Sequence, residues 1–227
     1  MRILGIDTSS RALSIAIMED GVLIGSLNTQ SVMTHSVRLL PGLEALLDRA
    51  GLDVRAIEIM AICVGPGSFT GIRIGLSTAK ALAFTMDCSM VGVSTLEALA
   101  RASAVSGETL VPLVDAGRNE VYRAVFKTGK DGALTRLMDD ELAPAPSAFL
   151  DDVPRGAVFV GPAVLRHKEA IETAWSGEVR LLPGSPFLGE SVARLGYEAA
   201  LKKKTALPHE LDANYIRKSD AEVKSGR

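Results

Sequence analysis

Two stretches more than a hundred residues apart carry one pattern, and that repetition limits the architecture more than any single motif does. In "LGIDTSSRALSIAI" and "PLVDAGRNEVYRAV" an apolar strand ends in an aspartate, Asp7 or Asp115. A short turn of small and polar residues follows, and a second alternating strand returns. A strand that ends and returns in this way starts an antiparallel meander, so two copies predict two related lobes. The boundary falls near "VSGE", giving an N-terminal lobe over residues 1–106 and a C-terminal lobe over residues 107–227. With 227 residues, 47% of them hydrophobic, each lobe has material for its own core.

Within the first lobe, residues 3–7, 13–18 and 22–27 read as strands, the last two joined by Asp20-Gly21, which supplies the positive φ of a tight hairpin. "THSVRLLPGLEALLDRAG" then places Val37, Leu40, Leu43 and Leu47 at helical spacing, with Thr34 or Ser36 as cap and Gly51 as stop. Pro41 must kink that helix or sit near its first turn. A buried strand at 57–64, a helix at 72–85, a short strand at 90–93 and a helix at 95–101 complete the order βββαβα, an α/β arrangement of a mixed sheet flanked by helices. The second lobe continues through a hairpin at "TGKDG", a loop-like insertion at "APAPSAFLDDVPRG", and helical stretches at 163–174 and 188–204.

Charge and sulfur narrow the function classes. Lys and Arg total 25 against 27 Asp and Glu, a net charge of -2, so no overall basic field argues for nucleic-acid binding. Cys63, Cys88, His35, His167 and His209 form neither a C-x-x-C nor an H-x-x-x-H pair, so no metal site is expected. A reduced, cytoplasmic setting is the simplest expectation. No apolar run reaches membrane-spanning length, and the opening residues enter a strand pattern without a cleavable leader.

"VGPGSFTGIRIGLSTAKALA" concentrates glycine before a helix, which raises the question of a phosphate cradle. A Walker loop fails because Ile72 stands where lysine must follow the second glycine, and a dinucleotide fingerprint fails because one residue too many separates Gly67 from Gly71. What survives is a strand-to-helix loop that can take an anion but needs none. Gly71, Gly75, Ala79 and Ala83 recur every four residues as one nearly bare ridge, while Ile72, Ile74, Leu76 and Leu82 make the rest largely apolar. That helix either packs wholly inside its own domain or lends its bare ridge to a helix from another chain, and apolarity on nearly all sides favours the first. Asp7, Thr8 and Ser9 at the first turn either hold a metal-bound phosphate or close an Asx-turn. His35 reads as a cap or surface residue, Lys202 to Lys204 as a solvated helix end, and Arg217 with Lys218 as a docking tail.

Taken together, "ILGIDTSS", "THSVRLLPGLEALL", "VGPGSFTGIRIGLSTAKALA", "GVSTLEALA", "VDAGRNEVY" and "NYIRKSDAE" resemble the bacterial TsaB (YeaZ) family over nearly the whole chain. The resemblance implies two ribonuclease-H-like lobes of the actin, sugar kinase and Hsp70 superfamily. It also implies a noncatalytic subunit of the assembly that makes threonylcarbamoyladenosine, beside the anticodon, in tRNAs reading ANN codons. The catalytic relative TsaD carries a metal-binding H-x-x-x-H segment; this chain has His35 but Leu39 in the second position. Partners implied are a TsaD-like catalytic subunit and a TsaE-like ATPase, which would hold the ATP and metal, leaving this chain without a cofactor of its own and with only indirect tRNA contact.

The family also implies that helices over residues 36–50 and 71–85 form a bundle with TsaD, or with a second copy when TsaD is absent. On that basis Gly71, Ile72, Gly75, Leu76, Ala79 and Ala83 would face the partner, with Leu39, Leu43 and Leu46 as apolar knobs. Asp7, Thr8, Ser9 and Asp115 would be a vestigial nucleotide site. The competing reading is an active ATPase or small-molecule kinase of the same superfamily that uses Asp7 and Asp115.

Overall fold

A computed structural model of the chain describes residues 1–103, 105–144, 150, 152–175 and 177–217. Two five-stranded sheets organise them. The first contains β1 (Arg2–Asp7), β2 (Ala12–Glu19), β3 (Val22–Gln30), β4 (Ile59–Gly65) and β5 (Ser89–Ser94), in the order β3-β2-β1-β4-β5. Strands β1 to β3 pair antiparallel, and β4 and β5 join parallel to β1 and to each other. The second sheet, from β6 (Thr109–Gly117), β7 (Glu120–Thr128), β8 (Leu134–Pro144), β9 (Val158–Val160) and β10 (Arg180–Leu182), repeats both the order and the directions. The duplication read from two aspartate turns is therefore a duplication of whole topology.

Local chemistry explains the individual elements. β2 lies inside the sheet and is buried from Ala12 to Met18, whereas the edge strand β3 alternates exposed and half-buried positions. Asp20 and Gly21, at φ 48° and 82°, form the expected hairpin turn. Helix α1 (His35–Ala50) runs through Pro41, which is exposed, and stops at Gly51, whose φ of 65° lets its N–H reach the Asp48 carbonyl at 3.1 Å. Helix α2 (Phe69–Met86) starts three residues before the expected position because the Ser68 hydroxyl accepts from the Gly71 amide at 3.2 Å. Further along, α3 (Thr95–Ala102) follows β5, and the stretch at 163–174 divides into α4 (Ala163–Arg166) and α5 (Lys168–Ala174) at His167. The last helix is α6 (Gly189–Leu201), with Lys202 to Lys204 exposed at its end.

Strand parity sets which helix covers which face of the first sheet. Leu4, Ile6, Met60 and Ile62 belong to one apolar cluster with Leu39, Leu43, Leu46 and Leu47 of α1 and Leu76, Ala79 and Ala83 of α2. Gly5 and Ala61, of opposite parity, meet α6. A Cβ on Gly5 would lie 2.5 Å from the Ala193 nitrogen, and one on Gly196 would lie 2.5 Å from the Ala61 Cβ. The Gly189 amide donates to Ser14 Oγ at 2.8 Å, pinning the start of α6 to β2. Around the second sheet, Phe159 and Trp175 pack edge-on at 5.3 Å beside Val111, Leu113, Val125, Val164 and Ile171.

The lobe boundary differs from the expected cut at residue 106. One compact unit comprises Met1–Ala98 with Phe187–Asn214; the other begins at Leu99, runs to Pro186 and takes up the described residues from Tyr215. The cause is α6, whose small residues Gly189, Ala193 and Gly196 pack closely against Gly5, Ser14 and Ala61 of the first sheet. The segment after it stays with that unit: Met90 and Ala206 exchange backbone hydrogen bonds, and Asn214 donates to the Val64 carbonyl at 2.8 Å. Of the loop-like insertion, residues 145–149 and 151 lie outside the described residues, as does Lys218.

Candidate functional site

The turn between β1 and β2 and the glycine loop before α2 form one interlocked structure. Thr8 Oγ1 donates to the Gly71 carbonyl at 2.8 Å, the Ser68 amide donates to the Ser9 carbonyl at 2.7 Å, and the Ser9 amide donates to Asp7 Oδ1 at 2.9 Å. His35 Nε2 lies 2.7 Å from the Ser10 carbonyl, tying α1 to the same turn. The glycines exist for this contact. A Cβ on Gly71 or Gly75 would overlap Thr8, and one on Gly67 would overlap the Ser9 carbonyl.

That geometry corrects the partner-facing assignment. Gly71, Gly75, Ala79 and Ala83, together with Ile72, Leu76, Leu39, Leu43 and Leu46, are all buried within their own unit. The bare ridge does admit a close neighbour, but the neighbour is the chain's own turn at residues 7–9 and, further along, its own sheet. What α1 and α2 present outward is a different set: Val37, Leu40, Pro41 and Glu44 on α1, and Arg73, Ser77, Ala81 and Phe84 on α2. Phe84 is 83% exposed, Val37 54% and Leu40 52%. Arg73 stacks over the Phe69 ring at 3.8 Å, so its flank of α2 is ordered. An apolar outer face, with Val37 and Leu40 on α1 and Phe84 on α2, was present in the sequence. It was masked because inner and outer faces of both helices are apolar.

The vestigial nucleotide residues divide in the same way. Asp7 and Thr8 are 0% exposed, and Ser9 is buried with them. Asp7 Oδ2 has no hydrogen-bond partner among the described residues, and the hydroxyl of buried Thr95 also lacks one. Burial pushes the Asp7 carboxyl above its ordinary value, against hydrogen bonding from Ser9 and Cys63 and the nearby His35 ring. Burial likewise drives the Cys63 thiol well above the usual thiol range, with the Asp7 carboxylate adding to the effect, so this sulfur is not a poised nucleophile. Within the second unit, Asp115 is partly exposed and engaged by Arg166 Nη1 at 2.5 Å, with His167 Nε2 at 3.7 Å. A metal-bound phosphate has no open approach to Asp7, and Asp115 is already paired with a cation. Among the described residues, no group of three His, Cys, Asp or Glu side chains is placed to hold a metal ion, and no helix is long and apolar enough to cross a membrane.

Arg217, expected to dock, does so on its own unit. Its guanidinium donates to the Ala116 carbonyl at 2.9 Å and pairs with Glu120, clasping the β6–β7 turn.

Comparison with known proteins agrees with this architecture. Residues 28–146 match the family described as TsaD: tRNA N6-adenosine threonylcarbamoyltransferase. The tRNA threonylcarbamoyladenosine biosynthesis protein TsaB of Bacillus subtilis (strain 168) is 31% identical over 235 residues, covering 99% of this chain and 97% of its own. The solved structure of YeaZ from Pseudomonas aeruginosa superimposes with a TM-score of 0.80 at 25% identity, covering 94% of this chain and 99% of its own. At the level of fold alone, the ROK hexokinase from Thermus thermophilus matches with a TM-score of 0.50 at 14% identity, over 90% of this chain and 100% of its own. The lobes thus share with this hexokinase a fold of mixed sheets flanked by helices, and the chain belongs to the TsaB family of tRNA threonylcarbamoyladenosine biosynthesis proteins.

Proposed function

We propose that this chain is a noncatalytic subunit of a cytoplasmic tRNA threonylcarbamoyladenosine-forming assembly, acting by pairing with a TsaD-like catalytic subunit that a TsaE-like ATPase joins. One observation carries the reading: Asp7 and Thr8, where a superfamily ATPase or kinase would bind metal and phosphate, are fully buried and stitched to the glycine loop. That occlusion opposes the competing reading of an independent ATPase or kinase. The chain then needs no cofactor of its own, and its contact with tRNA is through the assembly.

The pairing surface in this reading is the outward face of α1 and α2, with Val37 and Leu40 exposed early on α1 and Phe84 exposed near the end of α2. Large exposed apolar side chains along two packed helices suit a helix-bundle interface. Alone, the chain uses the same face to form a homodimer.

The test is reconstitution. Threonylcarbamoyladenosine formation is measured with the TsaD-like and TsaE-like proteins, with and without this chain, and phosphate release is measured for the chain alone with ATP and magnesium. The proposal expects product only when the chain is present and no turnover by the chain alone. Turnover by the isolated chain, or product formed equally well without it, overturns the reading. Phe84→Asp should abolish co-elution with the TsaD-like subunit in size-exclusion chromatography while shifting stability by no more than about 0.5 kcal/mol, as for an exposed position.

A further inference from the structure

In the first unit, the starts of α1 and α2 and the loop at residues 31–34 enclose a cleft of about 330 Å³. Its lining includes Arg11, Arg38 and His35 and not one carboxylate. Arg38 is half-buried: Nη1 donates to Thr29 Oγ1 at 2.8 Å and Nη2 to the Arg11 carbonyl at 3.2 Å. Both acceptors are neutral, Nη2 also lies 3.4 Å from His35 Nδ1, and Arg38 Nε is buried without a hydrogen-bond partner among the described residues. Arg11 is exposed at the mouth, and no carboxylate pairs with either guanidinium among the described residues. A cation drawn partly out of water without a counter-charge is costly unless an anion completes the site.

The hydroxyls around the cleft point the same way. Ser10, Ser31 and Ser68 each accept a backbone N–H through Oγ, from Ala12, Met33 and Gly71 at 3.1, 3.1 and 3.2 Å. With a lone pair of each oxygen so occupied, the hydroxyl hydrogens remain to donate. Forked guanidinium donors together with several O–H donors suit a tetrahedral oxyanion with several acceptor oxygens.

We propose that this cleft binds the phosphate group of a small phosphorylated molecule, held by Arg11 and Arg38. The source is a small molecule and not an RNA backbone, because a single arginine pair at one cleft on a chain of net charge -2 offers no continuous basic track for a polyanion. The inference is independent of the scaffold role and stands or falls separately from it.

Isothermal titration calorimetry of the full chain with inorganic pyrophosphate tests it, with a uridine oligonucleotide as the second arm. Saturable pyrophosphate binding is expected, weakened about tenfold or more in Arg11→Glu, in keeping with loss of a charge-assisted hydrogen bond. Arg11 is exposed, so an unchanged melting temperature confirms an intact fold; Arg38→Gln should weaken binding to a similar degree. Arg55→Glu, an exposed charge change outside the cleft lining, should leave binding unchanged. Absence of saturable binding, or equal binding by Arg11→Glu, overturns the proposal. So does oligonucleotide binding without pyrophosphate binding.

Discussion

The β1–β2 turn and the β6–β7 turn occupy the same place in two copies of one topology, yet they are built in opposite ways. The first is a longer loop folded inward: Asp7, Thr8 and Ser9 vanish beneath the start of α2 and are held by backbone donors and acceptors. The second is a two-residue turn facing outward, with Arg118 and Asn119 at φ 53° and 59° and Gly117 at 70°. Its aspartate meets Arg166, and its outer edge is clasped by Arg217. The same pattern of strand, aspartate and turn stands in both. Only the first is packed into a hydrophobic core, where it gives α2 a fixed seat.

The sharpest way to break this contrast is to add bulk where the turn meets the helix. Gly75→Leu should destabilise the fold by about 3 kcal/mol or more, read as a drop in the urea midpoint, because the new side chain must displace Thr8. Gly117→Ala, its counterpart on the open turn, meets no atom within 4 Å and should cost only about 1 kcal/mol, the penalty of a positive φ for a residue with a Cβ.

The next test uses pH. Because the folded state raises the Asp7 carboxyl above its unfolded value, the fold favours the protonated form more than the unfolded chain does. Its contribution is complete below the ordinary carboxylate range and is lost as pH rises through the raised value. Asp7→Asn should therefore melt higher than the wild type at neutral pH, with the difference closing in acid. A gap that does not change with pH would show that Asp7 is not the titrating group.

Thr8→Val should cost about 1 kcal/mol, the net worth of one hydrogen bond, here to the Gly71 carbonyl. The smallest effect should come from Asp115→Asn. It removes an ion pair with an Arg166 side chain that is 63% exposed, and the urea midpoint should move by no more than about 0.5 kcal/mol equivalent.

Much of the architecture could be read from residue spacing. Asp20-Gly21, the alternation of the meanders, and the recurrence of an aspartate at a strand end all follow from local rules that tertiary packing does not override. The contents of the site were harder to read. A four-residue repeat of glycine and alanine states that something approaches α2 closely, but its identity depends on a turn more than sixty residues earlier in the chain. The return of α6 to the first sheet left only a faint trace, in Gly5, Ala61, Gly189, Ala193 and Gly196, whose sizes match only when all five are brought together. The outward apolar set on α1 and α2 was hidden for a related reason: helices apolar on both faces give no polar stripe from which to tell inside from outside.

The pinning of Gly189 to Ser14 across 175 residues also bears on how the molecule is made. A chain emerging from the ribosome can pair β1 through β5 early, but the face of that sheet bearing Gly5 and Ala61 stays uncovered until α6 has been synthesised. The strands of the second sheet are therefore all translated while the first still waits for its final layer. Loss of residues from 187 onward would leave the strands of the second sheet complete but the first sheet without its α6 layer, with apolar surface open to aggregation during biogenesis.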